Sequence, residues 1–512
     1  MKKQVLIVGA GPTGLALALS LKKQEIPFRI IEKRAGTGEA SRALVVHARI
    51  LEHYQQLGFS EKVVNHGIPL KKLHLREGNE DKAELNLSDL GEDLSPFPYV
   101  LSLPQDVHEK LLVEQLKDAG ITVEWNTALE SFIDNGEYIQ SFIKNDGTIE
   151  EAQFDYICGC DGAHSTVREG MDVGFPGGTY EQLFFVGDIQ ADNHESSMGD
   201  MYMYMDEEGF FSYMPVREKG MKRIIGIVPK ELNDKDTINY EDLSPSIEKK
   251  INLHATEVNW FSTYRVHHRV SEHFKQGRAF LAGDAGHIHS PAGGQGMNTG
   301  IGDAINLSWK LAAVLRGKAE PEILNSYESE RLEFARKLIS TTDKAFTNIV
   351  GRHTRGRLLR TLFFPYIMPF LLGFSVARKG AFKTVSQTNI QYRNSELSSG
   401  TAGKVKGGDR LPWIKKKTGI DNYKPLQSID WQIHVYGEAS EALSSFADTV
   451  QLELHQFDWN SKIGKIGLEE NSYYLIRPDG YVALAKKDQG IEDLKTYLLK
   501  YKISSFKSTH SS

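Results

Sequence analysis

Residues 5–32 read VLIVGAGPTGLALALSLKKQEIPFRIIE, and this stretch decides the fold. Val5–Val8 is a short apolar run rich in β-branched residues, which is typical of a buried parallel strand. Three glycines follow in the spacing G-x-G-x-x-G, and the apolar pattern behind them predicts a helix. A second predicted strand, Phe28–Ile31, ends at the acid Glu32. The order is therefore strand, glycine-rich turn, helix, strand and acid.

Each element of this pattern suits the binding of a dinucleotide. Gly9 permits a tight turn, Gly11 lets a pyrophosphate approach the backbone, and Gly14 lets helix and strand pack closely. The helix start offers N–H groups and the positive end of a dipole to the phosphates. Glu32 lies 23 residues after Gly9, close to the spacing of a ribose-binding acid, and its carboxylate would repel a 2′-phosphate. The alternative is an ordinary glycine-rich turn, but the flanking strand, helix and acid favour the dinucleotide site.

Composition indicates a globular protein of several domains. A chain of 512 residues has room for about three domains. A hydrophobic content of 40% and a charged content of 25% are ordinary for a soluble protein. The formal net charge of −6 gives no reason to expect a nucleic-acid partner.

The two cysteines and the apolar stretches bear on location. Cys158 and Cys160 lie two residues apart in a predicted strand, where they cannot easily bridge, so we predict reduced thiols and a cytoplasmic protein. No signal peptide is predicted. The longest apolar patch, Leu358–Phe374, is interrupted by prolines and too short to span a bilayer comfortably. We interpret it as core or lid, with a membrane-surface contact as the alternative.

Strands alternate with helices up to about residue 180, which indicates a mostly parallel sheet. A helix is predicted from Ser41 to Gly58, and a strand over Ile121–Trp125. Residues 128–132 and 139–143 resemble a hairpin, and residues 154–160 a further buried strand.

The segment from Glu181 to His267 differs in character. Met201–Met205, Gly209–Pro215 and Arg223–Val228 read as antiparallel strands rich in Met, Tyr and Phe. The plain interpretation of such a stripe is core. Because these strands interrupt an α/β chain, we predict an inserted sheet that roofs a flat apolar substrate.

A second anion-type site is predicted near residue 290. A buried strand ends in the turn Gly283–Asp284, and the glycine-rich loop 291–298 then enters a helix with an apolar face. A long helix follows over Glu322–Ile349. The stretch Ser395–Gly408 is rich in Ser, Gly and Lys and indicates a boundary, beyond which a small separate α/β unit is predicted.

Together with Asp161–Gly162, the G-x-G-x-x-G turn and Gly283–Asp284 form an ordered set of three motifs. Over about residues 3–395 this set resembles the single-component FAD-dependent aromatic hydroxylases, the group typified by para-hydroxybenzoate hydroxylase. The nearest resemblance is to the phenol, polyketide and rifampicin hydroxylases, which carry an extra C-terminal domain. The motif Arg477–Val482 matches a turn typical of that domain.

The resemblance implies an α/β fold with three parts. A Rossmann-like FAD-binding domain would comprise residues 1–75, 100–180 and 268–395. An inserted antiparallel sheet, residues 76–99 and 181–267, would bind substrate. Residues 400–512 would form a thioredoxin-like domain, which would be redox-inert because it has no Cys-x-x-Cys.

The resemblance also implies which residues bind the cofactor, from the pyrophosphate to the isoalloxazine ring. The pyrophosphate would contact Gly9, Gly11, Thr13 and Gly14, and the adenosine ribose Glu32 with Lys33 beside it. The flavin's phosphate and ribityl region would contact Arg42, Gln105 and Asp284, the adenine Leu129, and the ring Met297 and Asn298 with Gly294 and Gly296 in the same loop. Asp161 is linked in the family to both FAD and the nicotinamide cofactor.

Substrate contacts are assigned to Phe211, Tyr213, Pro291 and His47. No catalytic residue is assigned, because the flavin carries the chemistry. His47, Tyr213, Arg49 and His287 could polarise a phenol, and for each of them a structural role is the alternative.

The implied activity is hydroxylation of a phenolic, polyketide or antibiotic-like aromatic through a flavin C4a-hydroperoxide. The expected cofactors are FAD and NADPH or NADH. The nicotinamide is expected to bind only transiently, because the sequence shows no second G-x-G-x-x-G unit. Substrate and O2 complete the partners; a homodimer is compatible with the resemblance, and no transmembrane segment is expected. The alternatives are an FAD-dependent reductase or dehydrogenase on the same fold and a non-catalytic FAD-binding protein.

Overall fold

The structure is a computed structural model of the full chain. It describes residues 4–38, 43–77, 80–192, 198–205, 210–216, 220–232, 235–251, 254–350, 375–415 and 421–503, with residues 358–359, 363, 367–368 and 371. Arg42 and most of the apolar patch 358–374 lie outside the described residues. None of the helices in the described ranges is long and apolar enough to cross a membrane.

The strands and helices of these ranges follow in chain order. The strands are β1 (Val5–Val8), β2 (Phe28–Ile31), β3 (Val45–Val46), β4 (Ile68–Pro69), β5 (Lys72–Glu77), β6 (Glu80–Asn86), β7 (Leu101–Ser102), β8 (Thr127–Asp134), β9 (Ile139–Asn145), β10 (Thr148–Phe154), β11 (Tyr156–Gly159), β12 (Gly177–Asp192), β13 (Asp200–Met205), β14 (Phe210–Pro215), β15 (Met221–Ile227), β16 (His254–Val270), β17 (Lys275–Gln276), β18 (Ala279–Leu281), β19 (His287–Ile288), β20 (Ser399–Ala402), β21 (Val405–Lys406), β22 (Gln432–Tyr436), β23 (Glu453–Phe457), β24 (Tyr473–Ile476) and β25 (Val482–Lys486). The helices are α1 (Pro12–Lys23), α2 (Ala48–Leu57), α3 (Ser60–Asn65), α4 (Gln105–Asp118), α5 (Thr166–Gly170), α6 (Tyr240–Ile251), α7 (Gln295–Leu315), α8 (Asn325–Val350), α9 (Ser375–Val385), α10 (Glu441–Thr449), α11 (Ser461–Ile466) and α12 (Ile491–Tyr501).

The first sheet confirms the predicted Rossmann-like core. Its strands lie in the order β17-β18-β11-β1-β2, and β1 pairs in parallel with both β2 and β11. All four residues of β1 are buried, as expected of a strand covered on both faces. Helices α1 and α7 pack against each other. The predicted strand over 121–125 is wrong, because only Glu124 forms a bridge, to Ile31 of β2.

The predicted helix from 41 to 58 is also wrong at its start. Val45–Val46 is β3, which pairs with β7, and His47 keeps an extended backbone before α2 begins at Ala48. The pair of β-branched residues finds a partner strand about 55 residues away, and this distant pairing overrides the local helical pattern. The hairpin of β8 and β9 is confirmed and gains β10 as a third strand.

The second large sheet has eight strands in the order β19-β16-β12-β15-β14-β13-β5-β6. It therefore includes Lys72–Glu77 as well as the predicted insert, and the division of the chain into domains stays a prediction. Helix α6 covers one face, where Tyr240, Leu243 and Ile247 join a buried cluster.

The C-terminal residues form a third sheet, in the order β21-β20-β25-β24-β22-β23. Strand β22 is parallel to β23 and antiparallel to β24, and α10, α11 and α12 connect or follow these strands. This is the arrangement predicted as thioredoxin-like. The chain's two cysteines are buried and free: Cys158 lies in β11 and Cys160 directly follows it.

Candidate cofactor and substrate site

The turn between β1 and α1 contains three glycines with three different environments. Gly9 has φ +103°, and a Cβ there would lie 2.4 Å from the Cys160 carbonyl oxygen. A Cβ on Gly14 would lie 2.0 Å from the Gly9 oxygen. Gly11 differs, since its φ is −74° and no described atom lies within 4 Å of its missing Cβ. Neither packing nor strain requires glycine at position 11, whereas the close approach of a phosphate would require it.

The start of α1 is suited to receive that phosphate. Pro12 occupies its first turn, and no described side chain caps it. The first N–H groups and the positive end of the helix dipole therefore face the space beside Gly11. These observations fit a dinucleotide pyrophosphate.

Glu32 lies at the same turn. Its carboxylate accepts hydrogen bonds from the Ala10 N–H at 2.8 Å and from the backbone and side chain of Arg34, both at 3.0 Å. Burial raises the pKa of Glu32, but these hydrogen bonds outweigh it and hold the pKa below its usual value. The acid is therefore ionised, with Arg34 on one side and the exposed Lys33 next to it, and the contact of Glu32 with a ribose stays a prediction.

Gln105 and Glu109, both on α4, hydrogen-bond to Ala43 and Gly38, the residues on either side of the segment that contains Arg42. Gln105 Oε1 accepts from the Ala43 N–H at 3.2 Å, and Glu109 Oε2 accepts from the Gly38 N–H at 2.8 Å. Gln105 Nε2 in turn donates to Glu109 at 2.8 Å. The structure thus gives Gln105 a positioning role at this segment, and its contact with FAD stays a prediction.

Asp161 adjoins the turn between β1 and α1, and Leu129 packs on one face of the first sheet. A Cβ on Gly9 would lie 2.9 Å from Asp161 Cα, so the second motif adjoins the first. Asp161 accepts from Ser165 Oγ at 2.5 Å and from the Val167 N–H at 3.3 Å, at the start of α5. Burial raises the pKa of Asp161 against these bonds. Leu129 is buried in the cluster on this side of the first sheet.

The third motif meets the first directly. Gly283 has φ +63°, and a Cβ there would lie 2.6 Å from Thr13 Oγ1. A Cβ on Gly300 of α7 would lie 2.4 Å from the same oxygen. Thr13 therefore packs between the two glycines, and the exposed Asp284 stands beside them. Two motifs about 270 residues apart form one surface.

The glycine-rich loop before α7 is locked to β3. Gly293 and Gly294 both have positive φ, and a Cβ on Gly294 would lie 2.1 Å from Val45 Cγ2. Asn298 donates to the Val45 and Gly294 carbonyls at 2.9 and 2.8 Å and accepts from the His47 N–H at 2.8 Å. Both N–H groups of its amide are thus used by the protein, so a hydrogen-bond donor to the flavin ring would come from the backbone.

Other predicted residues of this loop are less constrained. Met297 is half-buried, with its Sδ 3.4 Å from His108 Nδ1. A Cβ on Gly296 would lie 3.9 Å from the His289 ring, and Pro291 is exposed. Their contacts with ring and substrate stay predictions.

His47 is a buried neutral histidine. Its Nε2–H donates to the Gly293 carbonyl at 2.9 Å, and burial lowers the pKa of His47 to about 4. Its Nδ1 has no partner among the described residues. Arg49 and His287 bind protein carboxylates instead: Arg49 bonds Glu52 at 3.0 Å, and His287 bonds Asp303 at 2.7 Å. The contacts favour the structural role for these two.

Phe211 and Tyr213 face the side of the eight-stranded sheet that α6 covers. Alternation along β14 sends Ser212 and Met214 to the opposite face, where Met214 packs with Leu44, just before β3. This packing favours core roles for Phe211 and Tyr213, and their substrate contacts stay untested predictions.

The face that meets Leu44 contains polar groups that the sequence analysis missed. Arg223 is fully buried and donates to both oxygens of Asp188 at 2.7 and 2.8 Å. Arg223 Nη1 and Ser212 Oγ have no hydrogen-bond partner within the described ranges. A buried donor without a partner is costly, and a bound ligand or water would satisfy it. Alternation along β14 and β15 shows two faces, but not which of them α6 covers.

Comparison with known proteins agrees with this site. A family model described as an FAD binding domain matches residues 2–342, more than half of the chain, and the chain belongs to that family. It is 30% identical to 6-methylpretetramide 4-monooxygenase of Streptomyces rimosus, over 97% of this chain and 93% of that protein. It is 31% identical to rifampicin monooxygenase of Streptomyces venezuelae, over 95% of this chain and 96% of that protein. Within the family, the chain is an FAD-dependent monooxygenase of the aromatic hydroxylase class.

The fold agrees with a solved structure of the same class. The OxyS anhydrotetracycline hydroxylase from Streptomyces rimosus superposes with a TM-score of 0.76 at 26% identity, covering 98% of this chain and 99% of that one. The predicted fold class and FAD cofactor are therefore confirmed.

Proposed function

We propose that the protein hydroxylates a fused-ring aromatic of polyketide or antibiotic type. Relatives across almost the whole chain are named for 6-methylpretetramide and for rifampicin. The observation that carries the proposal is the sheet face opposite α6. On this face Ser212 and Arg223 lie among methionines and apolar residues, next to Leu44, which follows the segment that contains Arg42. A mostly apolar wall with a few donors suits a flat polycyclic molecule that carries oxygen substituents.

The reaction consumes one O2 and one NADH or NADPH. An aromatic C–H, O2, the reduced nicotinamide and a proton give the phenol, water and the oxidised nicotinamide. Bound FAD supplies the redox chemistry, passing two electrons from the nicotinamide to O2. Gly11, Thr13 and the start of α1 would hold its pyrophosphate, and Glu32 its ribose. The loop before α7 would hold the ring.

The protein's own groups orient the substrate. The Asp188 carboxylate neutralises the Arg223 charge and fixes its plane through two hydrogen bonds, which leaves Nη1 to donate to an oxygen of the substrate. Ser212 Oγ, on the same face, can donate to a second oxygen. Held in this way, an electron-rich carbon is kept in place in a site from which water is excluded.

A substrate screen tests the proposal. Purified holoenzyme is mixed with polycyclic phenols and either nicotinamide, and nicotinamide oxidation, O2 uptake and product mass are followed together. Nicotinamide oxidation stimulated by a fused-ring compound, with one product oxygen derived from labelled O2, supports it. Turnover without O2 would identify a reductase instead. Stimulation by single-ring phenols alone would contradict the fused-ring assignment.

We also propose a cytoplasmic location, which two buried, free cysteines support. Fractionation of cells that express the tagged full-length protein tests it.

A further inference from the structure

The turn Arg477–Gly480 in the C-terminal sheet reaches into the FAD-binding part of the chain. Asp479 accepts from Arg477 at 3.0 and 2.6 Å and from the indole N–H of Trp309, on α7, at 3.1 Å. Its carbonyl oxygen accepts from Arg49, on α2, at 2.7 Å. The side chains of Arg477 and Asp479 are almost completely buried. The turn therefore contacts α7, which begins at the glycine-rich loop, and α2, which follows the His47 that bonds to that loop.

Arg477 extends this contact to a buried glutamate. Its guanidinium donates to Glu330, on α8, at 2.6 and 2.9 Å. Glu330 also accepts from Lys310 at 2.8 Å and Asn306 at 2.7 Å, both on α7, and from Ser395 at 2.6 Å. One carboxylate thus joins the C-terminal turn, α7 and α8.

The residues of α7 that take part belong to a polar stripe on an otherwise mainly apolar buried helix. Successive members are three or four residues apart, so they share one face. The stripe consists of Gln295, Thr299, Asp303, Asn306 and Lys310, all buried.

At Asp303, its middle member, the stripe reaches the Gly283–Asp284 motif. Asp303 accepts from Arg331 Nε at 2.6 Å, from His287 Nε2 at 2.7 Å and from the Gly283 N–H at 3.0 Å. Gly283 directly precedes Asp284 and packs on Thr13. Two hydrogen-bonded clusters therefore lie along α7 between the C-terminal turn and the Gly283–Asp284 turn, one around Glu330 and one around Asp303. The neighbouring residues Glu330 and Arg331 of α8 belong to one cluster each.

Such a stripe can fix the rotation and the axial position of α7, which apolar packing alone leaves variable. Apolar surfaces tolerate small slides and rotations of a helix, whereas buried polar pairs are satisfied in one register only. The first turn of α7 follows the loop assigned to the flavin ring, so the register of α7 sets the position of its N–H groups relative to that ring.

We propose that the Arg477–Gly480 turn is a positioning element for bound FAD, acting through Glu330 and the polar stripe of α7. The C-terminal unit then has a role in flavin binding without touching the flavin. This role depends on FAD binding alone and not on the identity of the substrate.

The test compares Arg477→Met and Arg477→Lys with wild-type full-length enzyme. The readouts are the dissociation constant of FAD and, at saturating FAD, the visible circular dichroism and midpoint potential of the flavin. We expect Arg477→Met to raise the FAD dissociation constant about tenfold, a usual size of coupling between linked sites. The dichroism and potential of the saturated enzyme should also change, and Arg477→Lys should restore part of each effect by keeping a cation beside Glu330.

Arg393→Met is the matched control. Arg393 also lies beside the C-terminal sheet and also pairs with a carboxylate, Asp409, at 2.7 and 3.0 Å. This pair is partly exposed, and within the described ranges no hydrogen bond or ion pair joins it to α7. We expect its flavin readouts to equal the wild type.

If Arg477→Met does not fold, Glu330→Gln takes its place, because it keeps the side-chain size and weakens the charge-assisted bonds from Arg477 on which the proposal depends. A folded variant of either kind with lowered thermal stability but wild-type affinity, dichroism and potential would overturn the proposal. An equal change in Arg393→Met would also overturn it.

Discussion

Replacing Gly11 with alanine should separate the binding of FAD from the folding of the protein. The backbone at Gly11 has φ −74°, and the added Cβ would meet no described atom within 4 Å. The free energy of unfolding of the apoprotein should therefore change by less than about 0.5 kcal/mol, as at sites without packing or strain. The methyl group would instead occupy the space assigned to the pyrophosphate.

The expected loss of FAD affinity follows from the contacts displaced. Pushing a phosphate away from the turn weakens charge-assisted hydrogen bonds, each of which contributes about 1.5–3 kcal/mol. At about 1.4 kcal/mol per factor of ten, the FAD dissociation constant should rise roughly tenfold to a hundredfold. Titration of apoprotein with FAD, followed by flavin fluorescence, measures this change, and urea unfolding of the apoprotein measures stability.

Gly14→Ala is the matched control. Its Cβ would lie 2.0 Å from the Gly9 oxygen, so the apoprotein itself should lose about 1–3 kcal/mol or fail to fold. If Gly11→Ala binds FAD as tightly as the wild type, the pyrophosphate does not approach this turn and the assignment of the site is wrong.

Three further outcomes follow from the described contacts. Arg223→Gln should lower kcat/KM for the accepted aromatic by about tenfold or more, since one substrate hydrogen bond to a charged group is lost, while FAD affinity is kept; unchanged steady-state kinetics would contradict the assigned substrate face. Tyr213→Phe, on the α6 face, should leave kcat/KM within about twofold and cost about 1 kcal/mol of stability in urea unfolding; a large loss of turnover would restore it as a substrate residue. Burial raises the pKa of Glu52, but Arg410 and Arg49 outweigh it and hold the pKa at about 2 against 4.5. Stability from this group is complete above pH 4.5 and about 3 kcal/mol of it is lost as pH falls towards 2, by the linkage of pKa to folding; urea midpoints against pH should show this loss for the wild type and not for Glu52→Gln.

Local signals in the sequence predicted the strands and the helix around the glycine-rich turn well. The elements from Val5 to Glu32 are contiguous, and each glycine there is explained by neighbours or by the ligand it admits. The helix predicted from residue 41 failed at its start, because a distant partner decides the outcome there. Val45–Val46 becomes a strand because Leu101–Ser102 lies beside it. The sheet face of Tyr213 depends on α6, which begins 27 residues later.

The polar stripe of α7 is a pattern that the sequence shows but whose burial the sequence does not predict. The spacing of Asp303, Asn306 and Lys310 is visible in the sequence, but charged residues at this spacing on a helix are usually solvated. Their burial is tolerated only because Arg331 and Glu330 on α8, together with the C-terminal turn, supply counter-charges. Burial still lowers the pKa of Lys310 to about 8 against the attraction of Glu330, so these pairs are held at a cost in desolvation. Pairs of this kind contribute little net stability compared with apolar packing. Under the proposal made above, their advantage is a single register for the helix that begins at the loop predicted to hold the flavin ring.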